Sequence, residues 1–511
     1  MTEHALLVPC GRFATEIGLI DALNRVPFGM KTVQHSPGDK LNQLLVHILA
    51  GGMHVKELQT SPHPLVQDQT VAEAWGQQSF ASASGVSDLL RATSSESVAT
   101  LQAELRQVMA PYRRSMLRDL SPSHLVVDFD LTGLVVSDQA TSYEGADFGF
   151  MGEVGRPARG YQFARAQLAG PQGPFVLGGF LHPGHCISRH CLEELVALVE
   201  AELGRPRRRL EALEQRLGRV ERELAELQAQ VAKGKKRRHP RGKSLAEEVE
   251  AKREEVAQLQ ARCQVLGTEN LTNPHPRRIL LRLDGGFGDA DLLAWLYEQG
   301  YDFVARAHSH RVAARLCQEE GLVWEKVSKN GFVAQSSSTV FGSCPYPMRL
   351  FVCKQWWGEQ QPERWSALVV NPELEGSEWP ARRVGVFYNQ RQVAEASIKE
   401  SKGVFASRHL PTRHQAGIAL YEQLVLLAQN LVRWFHRHWL GDTVLAAVGV
   451  KELVKIGANS RALVCRCGEA IAVHFATDSP WRGITLFSKP PVSYQLWFPF
   501  LEHHLLAQAR Q

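Results

Sequence analysis

The sequence predicts an α/β protein centred on a mixed β-sheet, three antiparallel strands followed by two parallel ones joined through helices. Three observations predict it. Between residues 124 and 184, three β-rich stretches, HLVVDFDLTGLVV, GYQFARAQLAG and GPFVLGGFLHPG, are separated by turn residues and suit a meander. Further on, ILLRLDGGFGDADLLAWLYEQG reads as a buried strand, a glycine turn and a helix capped near Asp289 or Asp291. YDFVARAHSH then supplies a fifth strand.

At 511 residues the chain exceeds one ordinary core, so it divides into several parts. Residues 1–120 read as a mostly helical domain. Within them ASASGVSDLLRAT, after the helical VAEAWGQQSF, is compatible with the turn and second helix of a helix-turn-helix, which would place Ser87 and Arg91 near DNA; a small helical bundle without DNA contact fits nearly as well. Residues 121–190 hold the first part of the sheet. Residues 191–270 are a helical insertion, in which Leu210, Leu213, Leu217, Val220, Leu224, Leu227 and Val231 repeat in steps of three and four, and Leu245, Val249, Val256, Leu259 and Cys263 offer a return seam. An antiparallel coiled-coil-like hairpin follows, with a helix from Cys191 to Val231 about 60 Å long. Its tip, AKGKKRRHPRGK, concentrates Lys233, Lys235, Lys236, Arg237, Arg238, Arg241 and Lys243. Such a cluster suits nucleic-acid phosphates, and the heptads leave open whether the seam pairs within the chain or between two chains.

Residues 271–310 carry the second part of the sheet, and 311–380 form a β-rich insertion with FVAQSSSTVFG, MRLFVCKQWW and RWSALVVN. Residues 381–445 return to the core through a helix, and 446–511 close the chain. Four residues in the returning segment, Tyr388, Arg391, Glu395 and Lys402, are spaced Y-x2-R-x3-E-x6-K. Drawn as one α-helix they fall within an arc of roughly 60°, an acid between two cations and a phenol, which suits a metal-bound phosphodiester. Three further acids lie upstream on strands. Asp128 and Asp130 alternate along the first strand, and Asp284 ends the buried one. Carboxylates at strand ends facing a helix-borne glutamate can make an oxygen-rich site for Mg²⁺.

The chain resembles DDE transposases of the IS4 superfamily and is most similar to the IS1380-like group. The resemblance rests on the tyrosine-to-lysine signature, the Asp-x-Thr of Asp130, Leu131 and Thr132, and the LDGGFGDADLL segment around Asp284, and it covers roughly residues 35 to 475. It implies an RNase H-like catalytic core with an N-terminal helical DNA-binding domain, a long antiparallel helical hairpin, and a β-rich insertion before the catalytic glutamate. By the same match Asp130, Asp284 and Glu395 are the catalytic triad, holding two Mg²⁺ or Mn²⁺ ions, with Asp128 a possible further ligand. Arg391 and Lys402 would neutralise phosphate oxygens and Tyr388 would hydrogen-bond a phosphate, with Lys399 and Arg306 as further contacts. In the superfamily the β-rich insertion helps hold a DNA hairpin and can stack a tryptophan on a flipped base. Most tryptophans here read as core, and Trp356 or Trp357 is the choice for stacking.

The implied activity is transposition: binding the ends of an insertion sequence, cutting them, and joining the 3′-hydroxyl to target DNA, with a homodimer pairing the two ends. The alternatives are a domesticated or inactive DNA-binding relative and an RNase H-like nuclease without strand transfer. A net charge of +5 and a pI near 8.7 are mildly basic, with the positive charge clustered. No apolar run approaches the roughly 18 residues of a membrane span, and MTEHALLVPCGRF lacks a signal-peptide pattern, so a cytoplasmic, nucleoid-associated protein is expected. Nine cysteines without a regular framework argue for reduced thiols. HPGHCISRHC offers His182, His185, Cys186, His190 and Cys191, which could ligate zinc if the loop folded back; the spacing matches no standard finger, and a structural loop is the favoured reading. Cys465 and Cys467, on one strand of a hairpin, read as packing residues.

Overall fold

The computed structural model describes residues 1–31, 34–120, 124–151, 156–171, 173–233, 244–356, 363–467 and 470–487. They divide into two compact units, one of Arg114–Ala140 and Gly145–Ile398, the other of Met1–Arg113, Thr141–Glu144 and Lys399–Gln511.

The first unit is built on one mixed sheet of ten strands. These are β1 (Leu125–Val135), β2 (Asp147–Gly149), β3 (Ala158–Leu168), β4 (Phe175–Pro183), β5 (Ile279–Leu283), β6 (Asp302–Arg306), β7 (Glu325–Ser328), β8 (Gly331–Gln335), β9 (Arg349–Gln355) and β10 (Arg364–Val370). β3 pairs antiparallel with β1 on one edge, and β2 and β4 share its other edge. β1 pairs parallel with β5, and β5 parallel with β6. The expected order of three antiparallel and two parallel strands is therefore present, in a sheet consistent with an RNase H-like core. β5, in the middle, is buried at every position, as a parallel strand covered on both faces should be.

The sheet runs further than the five strands expected. β10 pairs antiparallel with β6, and β9, β8 and β7 follow as an antiparallel ladder. The β-rich residues after Asp284 thus extend the central sheet, because the free edge of β6 takes up Leu368, Val369 and Val370. Leu280, Val304, Phe351, Leu368, Trp379 and Val384 form one core cluster across this junction.

The continuous helix expected from Cys191 to Val231 is two helices, Ser188–Leu203 and Leu210–Ala232. Gly204 adopts a φ of 91°, outside helical space, and Pro206 removes a backbone donor two residues on, so the first helix stops there. Leu210–Ala232 packs against Leu245–Leu271 of the same chain, and Leu213, Val220, Leu259 and Leu266 are buried between them. The base of this pair is tied by ion pairs: Arg208 to Glu200 at 2.7 Å and to Glu269 at 2.6 Å, Arg209 to Asp302 at 2.6 Å, and Arg216 to the buried Glu298 at 3.1 Å. Of the basic segment at the far end, Lys235, Lys236, Arg237 and Arg238 lie outside the described residues, as does Trp357.

The second unit is mostly helical. Its longest helix within the C-terminal part, Gln415–Phe435, is buried along almost its whole length, and Trp434 on it meets Phe13 edge-on at 5.1 Å and stacks on Tyr112 at 5.3 Å. The Ala83–Arg91 helix is capped by Ser82, and its Arg91 pairs with Asp88. β11 (Ala462–Cys467), β12 (Ala470–Phe475) and β13 (Thr485–Phe487) form a separate antiparallel sheet. No described helix is long and apolar enough to cross a membrane.

Candidate active site

β1 brings Asp128 and Asp130 to one face, two positions apart, and each meets a different guanidinium. Asp128 lies opposite Arg282 in the β1–β5 register, and Arg282 holds both its oxygens, at 2.8 and 2.6 Å. Both side chains are almost fully buried. An arginine inside the otherwise apolar ILLRL strand is tolerable only because this carboxylate neutralises it in place.

Asp130 accepts from the Thr132 hydroxyl at 2.7 Å through Oδ2 and from Arg391 Nη2 at 2.7 Å through Oδ1. The first contact explains the Asp-x-Thr spacing, since residues two apart on a strand share a face.

Asp284 follows β5 and starts a tight turn, accepting from the Gly286 backbone N–H at 3.0 Å. Two glycines are required here by close approach: a Cβ at Gly286 would sit 2.3 Å from Ser188 Oγ, and one at Gly288 1.7 Å from the Arg306 carbonyl oxygen. Phe287, fully buried, packs edge-on to Phe129 of β1 at 5.9 Å, which fixes the turn beneath the first strand. Asp289 then caps the Ala290–Glu298 helix.

The tyrosine-to-lysine signature does not ride on one helix. Tyr388 belongs to Ala381–Asn389, Glu395 and Lys402 to Gln392–Gly403, and Arg391 occupies the turn between them. Its N–H bonds to the Tyr388 carbonyl, three residues back, at 3.0 Å. This tightening sends the Arg391 side chain inward, where Nη2 also donates to the Phe129 carbonyl at 3.1 Å. The guanidinium there faces three acids: Asp130 at 2.7 Å, Asp284 at 3.8 Å and Glu395 at 3.5 Å.

These charges perturb one another. Desolvation pushes the Asp284 carboxyl above its ordinary value; Arg391 opposes this and the like charge of Asp130 reinforces it. Arg391 is held firmly protonated: desolvation opposes its charge, but Asp130 and Asp284 outweigh it. Tyr388, packed against the core cluster, has its phenol pushed up to about 12 by burial, so it remains a hydrogen-bond donor at neutral pH. Arg306, at the end of β6, is exposed and lies close enough to act on that phenol.

The three carboxylates are spread around the guanidinium instead of closing to a single point. Their donor set still suits a hard divalent cation, being all oxygen, and the upward push on Asp284, from desolvation first and the like charge of Asp130 after it, is one that a bound cation would relieve. Residues expected to touch DNA are less concentrated. Lys399 and Lys402 follow Glu395 on the same helix. Trp356 stacks on Phe332 with ring centroids 5.4 Å apart.

Sequence reasoning overlooked three buried residues. Arg282 could have been flagged by its place in an apolar strand. Arg165, buried on β3 opposite Asp130, shares its strand face with the buried Gln167 two residues on, a polar pair inside a buried strand. Its Nη2 donates to Ser397 Oγ at 3.0 Å, which ties the Glu395 helix to β3; nothing in the sequence singles Ser397 out.

Residues 253–488 match the family model described as transposase DDE domain group 1, a span that includes Asp284 and Glu395 and begins beyond Asp130. The match supports a DDE transposase. The comparison with curated proteins found no match.

Proposed function

We propose that this chain is a transposase of the IS1380-like group of the IS4 superfamily, which binds the ends of an insertion sequence, cuts them and joins the freed 3′-hydroxyl to target DNA. The observation that carries this is the convergence of Asp130, Asp284 and Glu395 on Arg391 from two parallel strands and a helix.

Asp130, Asp284 and Glu395 are the residues that would hold two divalent cations, magnesium or manganese, which supply an activated water and offset charge on the attacking and leaving oxygens. Asp128 is spent on Arg282, with both oxygens taken, so Asp130 is the β1 ligand. The Arg391 guanidinium balances the acids here, and with a metal held by the carboxylates it would be left to neutralise phosphate oxygens. Tyr388, protonated at neutral pH, donates to a phosphate oxygen beside the cut. Arg306, Lys399 and Lys402 add positive charge along the strand's path.

The hairpin of residues 191–270 and its basic segment grip the flanking duplex through phosphates, the helical residues 1–120 bind the terminal sequence, and 311–380 support the DNA near the core, with Trp356 or Trp357 as the stacking ring. Two copies pair the two ends. The same acids would serve cutting and joining, because both are in-line attacks of an oxygen nucleophile on a phosphodiester, water in the first and the 3′-hydroxyl in the second.

The test is an assay with paired end sequences, a target plasmid and Mg²⁺. Joined products support the reading. Nicks without joining would make the protein a nuclease, and retention without cleavage would make it a DNA-binding relative.

A further inference from the structure

We propose that the corner between β4 and the Ser188–Leu203 helix is a structural zinc site, held by His182, Cys186 and Cys191, with Glu194 completing the coordination. The residues are spaced H-x3-C-x4-C-x2-E. His182 is at the end of β4, Cys186 in the connecting turn, and Cys191 and Glu194 on consecutive turns of the helix. The chain reverses here, so the loop does fold back.

One donor atom from each of His182, Cys186 and Cys191 lies within 4.8 Å of the other two, and among the described residues no other group of three such side chains does so. The two sulfurs are 3.4 Å apart, well beyond a disulfide bond and near the separation of about 3.8 Å that two thiolates adopt across tetrahedral zinc. Both cysteines are buried. His182 Nε2 is buried without a hydrogen bond, although Glu194 Oε2 is 3.0 Å away; the oxygen lies off the direction a good hydrogen bond needs. A buried ring nitrogen left unsatisfied beside two thiols calls for a partner that accepts all three, and a borderline-soft dication does, with the Glu194 carboxylate next to the ring to supply a fourth oxygen. Magnesium, which takes oxygen ligands, does not suit this set.

The position gives the site a purpose. Ser188, two residues after Cys186, packs directly against Gly286, whose N–H holds Asp284. A metal at the corner would brace the turn that carries one of the three acids without touching the acids themselves. The proposal does not depend on the reading of those acids as catalytic.

The full-length protein, purified without chelators and exchanged into buffer containing Mg²⁺, is assayed for zinc by mass spectrometry of the elements. About one zinc per chain is expected, falling to background in Cys186→Ser and Cys191→Ser and unchanged in Glu395→Gln. Cobalt added to the zinc-depleted wild type should give a thiolate-to-cobalt charge-transfer band and tetrahedral visible bands. This arm, with protection of both thiols from alkylation by added zinc, needs no variant and stands if the serine variants fail to fold. Zinc-free wild type with both thiols reactive in the presence of zinc, a mapped Cys186–Cys191 disulfide, or zinc retained in both serine variants would each overturn the site.

Discussion

Arg282 faces Asp128 across the parallel β1–β5 pair and grips both carboxylate oxygens, at 2.8 and 2.6 Å. Both are buried, so removing either partner strands a charge in the core. Arg282→Met should destabilise the protein by about 3–5 kcal/mol, and the double variant with Asp128→Asn by clearly less than the sum of the two single changes. Denaturant unfolding of the cycle checks this; a single-variant cost below about 1 kcal/mol would show that the pair holds little.

Glu395→Gln keeps the size of the side chain and removes its charge. End binding should persist while strand cleavage falls by roughly 10³-fold or more, the equivalent of about 4 kcal/mol of transition-state stabilisation. Gel retention and cleavage on the same end fragment separate the two, and cleavage at the wild-type rate would remove Glu395 from its role.

Asp284 has a folded-state pKa above its ordinary 3.8, raised by desolvation, with Arg391 opposing and Asp130 adding to the rise. The folded protein therefore holds this proton more tightly than the unfolded chain. The resulting stability is fully present below 3.8 and is lost as pH rises through the raised value. At pH 7 ionised Asp284 is a cost, so Asp284→Asn should raise the Tm in EDTA and change it little in acid. Saturating Mg²⁺ should stabilise the wild type, by about 2.7 kcal/mol at a hundredfold excess over Kd, and leave the variant unmoved. A variant less stable than wild type in EDTA at pH 7 would contradict this.

Ser397 accepts a hydrogen bond from Arg165 and lies two positions after Glu395 on the same helix. Ser397→Ala should cost about 1.5–3 kcal/mol of stability, and should lower kcat roughly 10-fold with little change in KM, because the Glu395 helix loses its tie to β3. An unchanged kcat would show that the tie does not position the glutamate.

Replacing Lys235, Lys236, Arg237 and Arg238 by glutamine tests the basic segment. If all four meet phosphates, the slope of log affinity against log salt should flatten by about 3 to 4, with the loss similar on specific and unrelated DNA. An unaltered slope assigns the segment to something other than DNA.

The strand order, the position of Asp284 at a strand end and the helical character of residues 210–232 and 245–271 were legible in the sequence, because period-2 and heptad patterns are local and burial simply follows them. The signature's acid and cation spacing was legible too, but its single-helix geometry was not. Arg391 leaves the helical path because its guanidinium finds Phe129, Asp130 and Asp284, partners distant in the chain. The same is true of Arg282, whose partner lies 154 positions away, and of Arg165 and Ser397, which lie 232 positions apart; only the contact of Arg165 with Gln167, two residues on, is one a strand pattern can anticipate.

What the sequence by itself determined was therefore the kind of elements and the residues able to do acid, metal and phosphate chemistry. Tertiary structure decided which of those residues meet. It set Asp128 against Arg282 and Asp130 against Arg391, and carried the sheet past its fifth strand. It also brought His182 onto two thiols in a loop that the sequence marked as able to ligate zinc only if it folded back. The physical reason is that pairing of buried charges and ligands depends on distance in space, and a chain reversal at one glycine or one turn brings together groups whose separation in sequence carries no trace of it.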